Sequence, residues 1–106
     1  MEKSVPGQHT RKARLFQLLL EIPKDGFTTY GELARVLGTS PRAVASMLAS
    51  NLEQDRYPCY KVVASDGKVS GYNLGTEEKL RRLTADGVAV ENGKVAILRA
   101  YRFPCS

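Results

Sequence analysis

The chain has 106 residues, 42% of them hydrophobic and 25% charged, with a formal net charge of +5 and a pI near 9.4, which is the size and composition of one ordinary folded domain with one modest core. No apolar run reaches the roughly 18 residues of a membrane span, Met1-Glu2-Lys3-Ser4 lacks the apolar stretch of a signal peptide, and Cys59, Cys105 and the single His9 are too few and too scattered for a disulfide scaffold or a metal cluster; the expectations are a cytoplasmic address, free thiols, no metal and no cofactor. The positive charge makes polyanions the natural partners, since phosphate contacts supply most non-specific affinity, although charge alone also fits a basic surface with no partner.

In chain order, residues 1–8 read as a flexible N-terminus, 9–103 as a single domain and 104–106 as a tail, in which Cys105 is expected to fray. From about His9 to Glu21, Phe16, Leu19 and Leu20 recur at helical spacing alongside Leu15 and Leu18, with Arg11, Lys12 and Arg14 on the wet side. Pro23 ends this helix, and Lys24-Asp25-Gly26 is turn chemistry. Thr29 followed by Glu32 forms a capping box that opens a short helix through Leu33, Val36 and Leu37, stopped by Gly38. Ser40 caps the next helix, about Pro41 to Ser50, with Pro41 in its first turn. Two short helices about a tight Gly-containing turn match a helix-turn-helix whose second member is the recognition helix; an ordinary αα-hairpin fits the same pattern.

Further on, Tyr60 to Ala64 and Lys68 to Tyr72 read as a hairpin around Asp66-Gly67. Thr76 caps a helix with Glu77 and Glu78 in its first turn, running through Leu80 and Leu83 to Gly87. A second hairpin joins Val88-Ala89-Val90 to Val95-Ala96-Ile97-Leu98 through Asn92-Gly93. The sum is an α+β, mostly helical fold: a winged helix-turn-helix DNA-binding domain with short β-hairpins.

Two segments carry chemistry. The stretch Tyr57-Pro58-Cys59-Tyr60-Lys61-Val62-Val63 sets a thiol directly after a proline, at the mouth of a short β-branched strand. Core filling would explain a lone Cys equally well, because free Cys is among the most buried residue types. On the recognition helix, Ala45, Ser46, Ala49 and Ser50 are small, while Val44, Met47 and Leu48 supply an apolar stripe. Small residues let a backbone approach a groove wall closely. Arg42, near the N-terminus, is the one long side chain placed to probe bases, and free N–H groups there also bind phosphate. A plain buried helix whose small residues only pack is the alternative.

The run Arg42-Ala43-Val44 with Met47 and Asn51, followed by Pro58-Cys59-Tyr60-Lys61-Val62-Val63, resembles the C-terminal domain of O6-alkylguanine-DNA alkyltransferases and of alkyltransferase-like proteins. Ser65-Asp66-Gly67, Gly71-Tyr72-Asn73, Lys79, Leu83 and Asp86-Gly87 continue the likeness, which spans residues 10–100 or so. The resemblance implies a partner, double-stranded DNA containing O6-alkylguanine, bound through its minor groove with the damaged base flipped out. Arg42 resembles the arginine that takes the place of the extruded nucleotide, and Ala43, Ala45, Ser46 and Ala49 resemble the small residues of the DNA-binding face. Tyr30 resembles the tyrosine that contacts the flipped base and crowds the adjacent phosphate. Asn51 resembles the hinge between recognition helix and active-site strand. Cys59 resembles the alkyl acceptor, with Pro58, Tyr72 and Asn73 about the lesion pocket. Lys79 and Asp86 sit where the family places a supporting lysine and an acidic residue. Flipping costs a few kcal/mol, less for a damaged base. A thiolate can then displace the alkyl group, and the inert thioether leaves the protein spent after one reaction.

The chain departs from that pattern in two places. The family has His-Arg after the cysteine, whereas Tyr60-Lys61 stands here; a phenol of pKa about 10 is a poor base beside an imidazole of about 6.5. Tyr60, oriented by Asp86, is left to hydrogen-bond a water or the thiolate, and Lys61 is one source of positive charge. The second departure is the short build, shared with the alkyltransferase-like proteins, which flip alkylated guanine but lack the cysteine. The readings are therefore single-turnover transfer to Cys59, a non-catalytic lesion sensor that recruits excision repair, and a winged-helix transcription factor. The expected state is a monomer away from membranes, meeting excision-repair proteins or a nuclease.

Overall fold

The computed structural model describes residues 11–52, 56–69, 72 and 74–104. The N-terminal residues 1–8, His9, Asn73 and Cys105 lie outside them, as do the expectations attached to those residues.

Helix α1 spans Arg11–Glu21 and buries Leu15, Leu18 and Leu19. With Ile22 just beyond the helix, these make an i, i+3, i+4, i+7 stripe. Leu20, expected on that face, is 52% exposed, because one further residue turns the side chain about 100° off the stripe. Strand β1, Thr28–Thr29, leads into helix α2, Tyr30–Leu37. Thr29 is extended and accepts from the Glu32 amide at 3.0 Å, so the N-cap forms. The return arm of the expected capping box is not used that way: the Glu32 carboxylate accepts from Arg35 at 2.6 and 3.1 Å and from the Phe103 amide at 2.7 Å. Gly38 closes α2 at φ +68°, a left-handed cap that favours glycine. Ser40 then accepts from the Ala43 amide, and Pro41 opens helix α3, Pro41–Ala49, one residue shorter than expected. Helix α2 packs against both α1 and α3, completing the helix-turn-helix.

The strand expected over Tyr60–Ala64 is mostly absent. Cys59–Lys61 forms a 3-10 turn, and only Val62–Val63 is strand, β2. Pro58, at φ −77° and ψ 71°, centres an inverse γ-turn in which the Cys59 amide donates to the Tyr57 carbonyl at 2.8 Å. That tight entry winds the chain before it can extend. β2 pairs in parallel with β1, Thr28 opposite Val62 and Thr29 opposite Val63. The expected first hairpin survives as the turn about Asp66-Gly67, with a single Ala64 amide to Lys68 carbonyl bond. Lys68 and Val69 pair instead toward Lys94 and Gly93. Gly67 is required there, since a Cβ would lie 2.6 Å from the Val95 carbonyl oxygen.

Helix α4, Thr76–Ala85, begins one residue earlier than its sequence cap suggests: Gly75 is the N-cap and Thr76 the first helical residue. Asp86 ends it, and the Val88 amide turns back to the Leu83 carbonyl at 3.0 Å. Strands β3 (Val90–Glu91) and β4 (Lys94–Val95) pair antiparallel about Asn92-Gly93. The hairpin stops short of Leu98, because Ile97–Arg99 is a 3-10 turn and Leu98 is 98% exposed.

The architecture is α+β and mostly helical, as expected. The core gathers in two groups, one around Leu15, Leu19, Leu33, Val44, Cys59 and Tyr72, the other around Phe27, Val63, Leu83 and Val95. No helix among the described residues is long and apolar enough to cross a membrane.

Glu32 ties the C-terminal segment to the helix-turn-helix, since Arg35 also donates to the Phe103 carbonyl at 3.0 Å. The Arg35 hydrogen bonds, above all, hold its carboxyl below the ordinary 4.5. Its stabilisation is therefore present above about pH 4.5 and is lost as the pH falls through the lower, folded value. Glu32→Ala is expected to cost about 1–3 kcal/mol at pH 7, as a buried donor loses its partner, and to flatten the acid limb of a urea-denaturation series. An unchanged midpoint at pH 7 would contradict this.

Candidate functional site

Helix α3 turns Val44 and Leu48 inward and leaves Arg42, Ala45, Ser46, Ala49 and Ser50 exposed, with Ala43 half-buried. The small residues thus form an outward face, and the plain buried helix is set aside. Packing explains the division: the apolar positions face α2, so the remaining face carries only short side chains plus the guanidinium.

From the end of α3 the chain passes to the thiol through Asn51. Its amide donates to the Leu48 carbonyl, while the buried side chain donates from Nδ2 to the Tyr57 carbonyl at 2.8 Å. One residue therefore holds the helix end and the turn before Cys59 together. Tyr57 stacks on Phe16 of α1 with ring centroids 5.0 Å apart.

Cys59 is buried, 5% exposed. Two groups respond to its charge. Lys79, on α4, is fully buried; desolvation, the larger influence, lowers its pKa to about 8, while the charge of Cys59 raises it. By reciprocity the ammonium favours the thiolate. Tyr30, at the start of α2, is half-buried; burial and then the charge of Cys59 push its hydroxyl above the ordinary 10.0, so it stays protonated. Lys79 Nζ lies 5.6 Å over the Tyr30 ring and donates to its hydroxyl oxygen at 3.5 Å.

Lys61, one source of positive charge considered for the thiol, reaches elsewhere. Its Nζ donates to the Pro23 carbonyl at 3.0 Å and lies 4.0 Å from Asp86 Oδ2. In a 3-10 turn, unlike a strand, consecutive side chains diverge around an axis, and Lys61 leaves on the side of α4's end. Tyr60 is also committed, donating its hydroxyl proton to Asp86. Burial first, and that bond second, push the phenol well above its ordinary range. Asp86 does orient Tyr60, as expected, but Tyr60 cannot serve as a base at neutral pH.

Tyr72 and Cys59 share one buried group of side chains, against which Tyr30, Tyr57 and Tyr60 pack. Pro58 instead lines a cleft of about 590 Å³ with Leu20, Tyr60, Lys61, Arg82 and Asp86. Sequence reasoning missed Arg82. Its guanidinium lies 5.9 Å from the centroids of both the Tyr60 and Tyr72 rings. The signal was present, for Lys79, Arg82, Leu83 and Asp86 follow the 3.6-residue period.

Residues 10–88 match the family model described as 6-O-methylguanine DNA methyltransferase, DNA binding domain. A bifunctional methyltransferase/endonuclease of Picrophilus torridus is 47% identical over 91 residues, covering 84% of this chain and 30% of that protein; the chain thus spans about a third of that relative. A DNA base-flipping protein of Vibrio parahaemolyticus is 33% identical over 93 residues, 85% of this chain and 92% of that one. Among solved structures, the O6-methylguanine-DNA methyltransferase of the archaeon Pyrococcus kodakaraensis aligns with a TM-score of 0.68 at 37% identity, over 73% of this chain and 46% of that one.

Removing the buried cation should make the thiol harder to ionise. In Lys79→Met, the midpoint of Cys59 alkylation by a small thiol reagent, followed against pH by peptide mass, should rise by about 1 unit or more. An unmoved midpoint would show that another group sets the thiol's ionisation.

Proposed function

The chain belongs to the family defined by the DNA-binding domain of 6-O-methylguanine DNA methyltransferase, and from that premise we propose that it binds O6-alkylguanine in duplex DNA and transfers the alkyl group to Cys59 in a single turnover. The observation that carries this reading is the fully buried Lys79 beside the thiol and Tyr30. Taking a lysine out of water costs several kcal/mol, and a charge-coupled nucleophile is a use for it.

The exposed small face of α3 enters the minor groove, and Arg42 fills the gap left by the flipped nucleotide. The lesion then lies between Tyr30 and Tyr72, against Cys59. The thiol has already given its proton to solvent, and the Lys79 ammonium holds the thiolate. Sγ attacks the alkyl carbon; the S–C bond forms as the C–O6 bond breaks, and the electron pair passes to the guanine. The Tyr30 hydroxyl donates a proton to the departing base and regains one from Lys79, 3.5 Å away. The products are a thioether on Cys59 and an unmodified guanine. Asn51 keeps the recognition helix and the thiol turn in register, and Asp86 fixes Tyr60 without proton transfer. Likeness to the bifunctional relative makes an endonuclease the first protein partner to seek, wherever the cell keeps its DNA.

A lesion sensor is the second reading. It is favoured by the commitment of Tyr60 to Asp86, which leaves no base at that position, and by the base-flipping relative that the chain nearly spans. Intact mass separates the two. After incubation with duplex DNA containing O6-methylguanine, the protein should gain one methyl group, located on the Cys59 peptide and absent in Cys59→Ala. No gain after long incubation, with binding retained, would establish the sensor.

Arg42→Ala should weaken binding to lesion duplex by about tenfold, on the order of 1.4 kcal/mol, with a smaller loss on undamaged DNA, as read by fluorescence anisotropy. Equal losses on both would reduce Arg42 to a phosphate contact.

A further inference from the structure

We propose that Arg82 is a positioning residue that couples Tyr72 to the thiol turn, so that the placement of the Tyr72 ring against the lesion and the setting of Cys59 change together. This rests on the function proposed above and adds a residue to it. The observation is one cation shared by two rings. The Arg82 guanidinium carbon is 5.9 Å from the Tyr60 centroid and 5.9 Å from the Tyr72 centroid, and the two rings meet edge to face at 6.4 Å. Tyr60 directly follows Cys59 in the same 3-10 turn. Tyr72 is 8% exposed and comes from the segment after the Asp66-Gly67 turn.

The guanidinium is itself held. Its Nε donates to Glu78 Oε2 at 2.7 Å, one helical turn earlier on α4. Arg81 donates to both Glu78 oxygens, and these bonds, with those of Arg82, lower the Glu78 carboxyl to about 2. The carboxylate therefore remains charged throughout the working range. The Arg82 carbonyl accepts the Asp86 amide at 3.1 Å, and Asp86 accepts the Tyr60 hydroxyl. Arg82 thus meets the thiol turn through the ring of Tyr60 and through its own backbone and Asp86, and it meets Tyr72 through that ring. A cation over an aromatic face contributes modestly. Sharing one cation between two faces makes the contacts interdependent, because moving either ring alone changes where the guanidinium rests against the other.

The test uses the whole chain and single-turnover kinetics on duplex DNA containing O6-methylguanine. Arg82→Met keeps the stem's length and its packing but removes the charge. It should lower the limiting transfer rate by about fivefold, the scale of a cation–π contact in a partly dry site, and lower the binding preference for lesion over undamaged duplex by a similar factor. Affinity for undamaged duplex should stay unchanged. Arg82→Lys should recover most of the loss. In a double-mutant cycle, Arg82→Met and Tyr72→Leu should be strongly non-additive, the second change costing little once the first is made. Additive losses, or an unchanged rate and preference in Arg82→Met, overturn the proposal. Should Arg82→Met melt at a much lower temperature, Glu78→Gln loosens the same guanidinium without touching either ring and should shift both readouts in the same direction; no shift then counts against the proposal. If the wild-type chain transfers no methyl, the transfer reading fails, and the lesion preference with its cycle still decides the role of Arg82.

Discussion

A lysine with no exposed surface stands beside a buried thiol, and most of the molecule follows from what it takes to keep them there. Lys79 is carried by α4 and Cys59 by a turn wound tightly after Pro58, while Tyr30 comes from the first residue of α2. Three elements distant in sequence must bring these groups close enough for their charges to be felt. The two-residue parallel pair of β1 with β2 provides the fixed point, since Tyr30 directly follows β1 and Cys59–Lys61 directly precedes β2. Register in that short ladder therefore sets how far the tyrosine stands from the thiol, and the buried C-terminal contacts of Glu32 brace the same end of α2.

Two faces share the work around this centre. On one side, α3 presents short side chains and a guanidinium, with Asn51 joining its end to the turn before the thiol. The end of the helix is thereby tied to the turn before the cysteine through a buried side-chain amide. On the other side, Tyr60, Asp86, Arg82 and Glu78 form a chain of contacts. The position after the cysteine, where the resembling family has an imidazole, is thus a structural anchor here. The buried cation whose charge interacts with Cys59 is carried by α4.

Caps and turns were the most readable parts of the sequence, because each acts within a few residues. Thr29, Gly38, Ser40 and Pro41 bound their helices much as local chemistry demands, and Asn92-Gly93 turns its hairpin. The parallel pairing was not legible. Its strands are 34 residues apart in register, Thr28 with Val62, and two residues carry no alternating pattern. The run from Tyr60 to Ala64, with its β-branched Val62 and Val63, suggested a longer strand, but the γ-turn at Pro58 and the reach of Lys61 to the Pro23 carbonyl shortened it to two residues. At the site, the exposure of Arg42 on α3 and the pairing of Asp86 with Tyr60 could be anticipated. Lys61 and Lys79 are both buried, and charge alone does not reveal which of them a fold turns toward Asp86 and which toward Tyr30. Arg82 was overlooked because an arginine four residues after a glutamate ordinarily reads as a surface pair.

The most direct test of this account is the titration of Lys79 itself, followed by NMR at its side-chain carbons or nitrogen in the intact protein. The account predicts a midpoint near 8, far below the ordinary 10.5, and a further fall once Cys59 is methylated, because the anion that supports the ammonium is then gone. A midpoint above 10, unmoved by modification of Cys59, would mean that the lysine and the thiol do not act as a pair, and the central claim would be wrong.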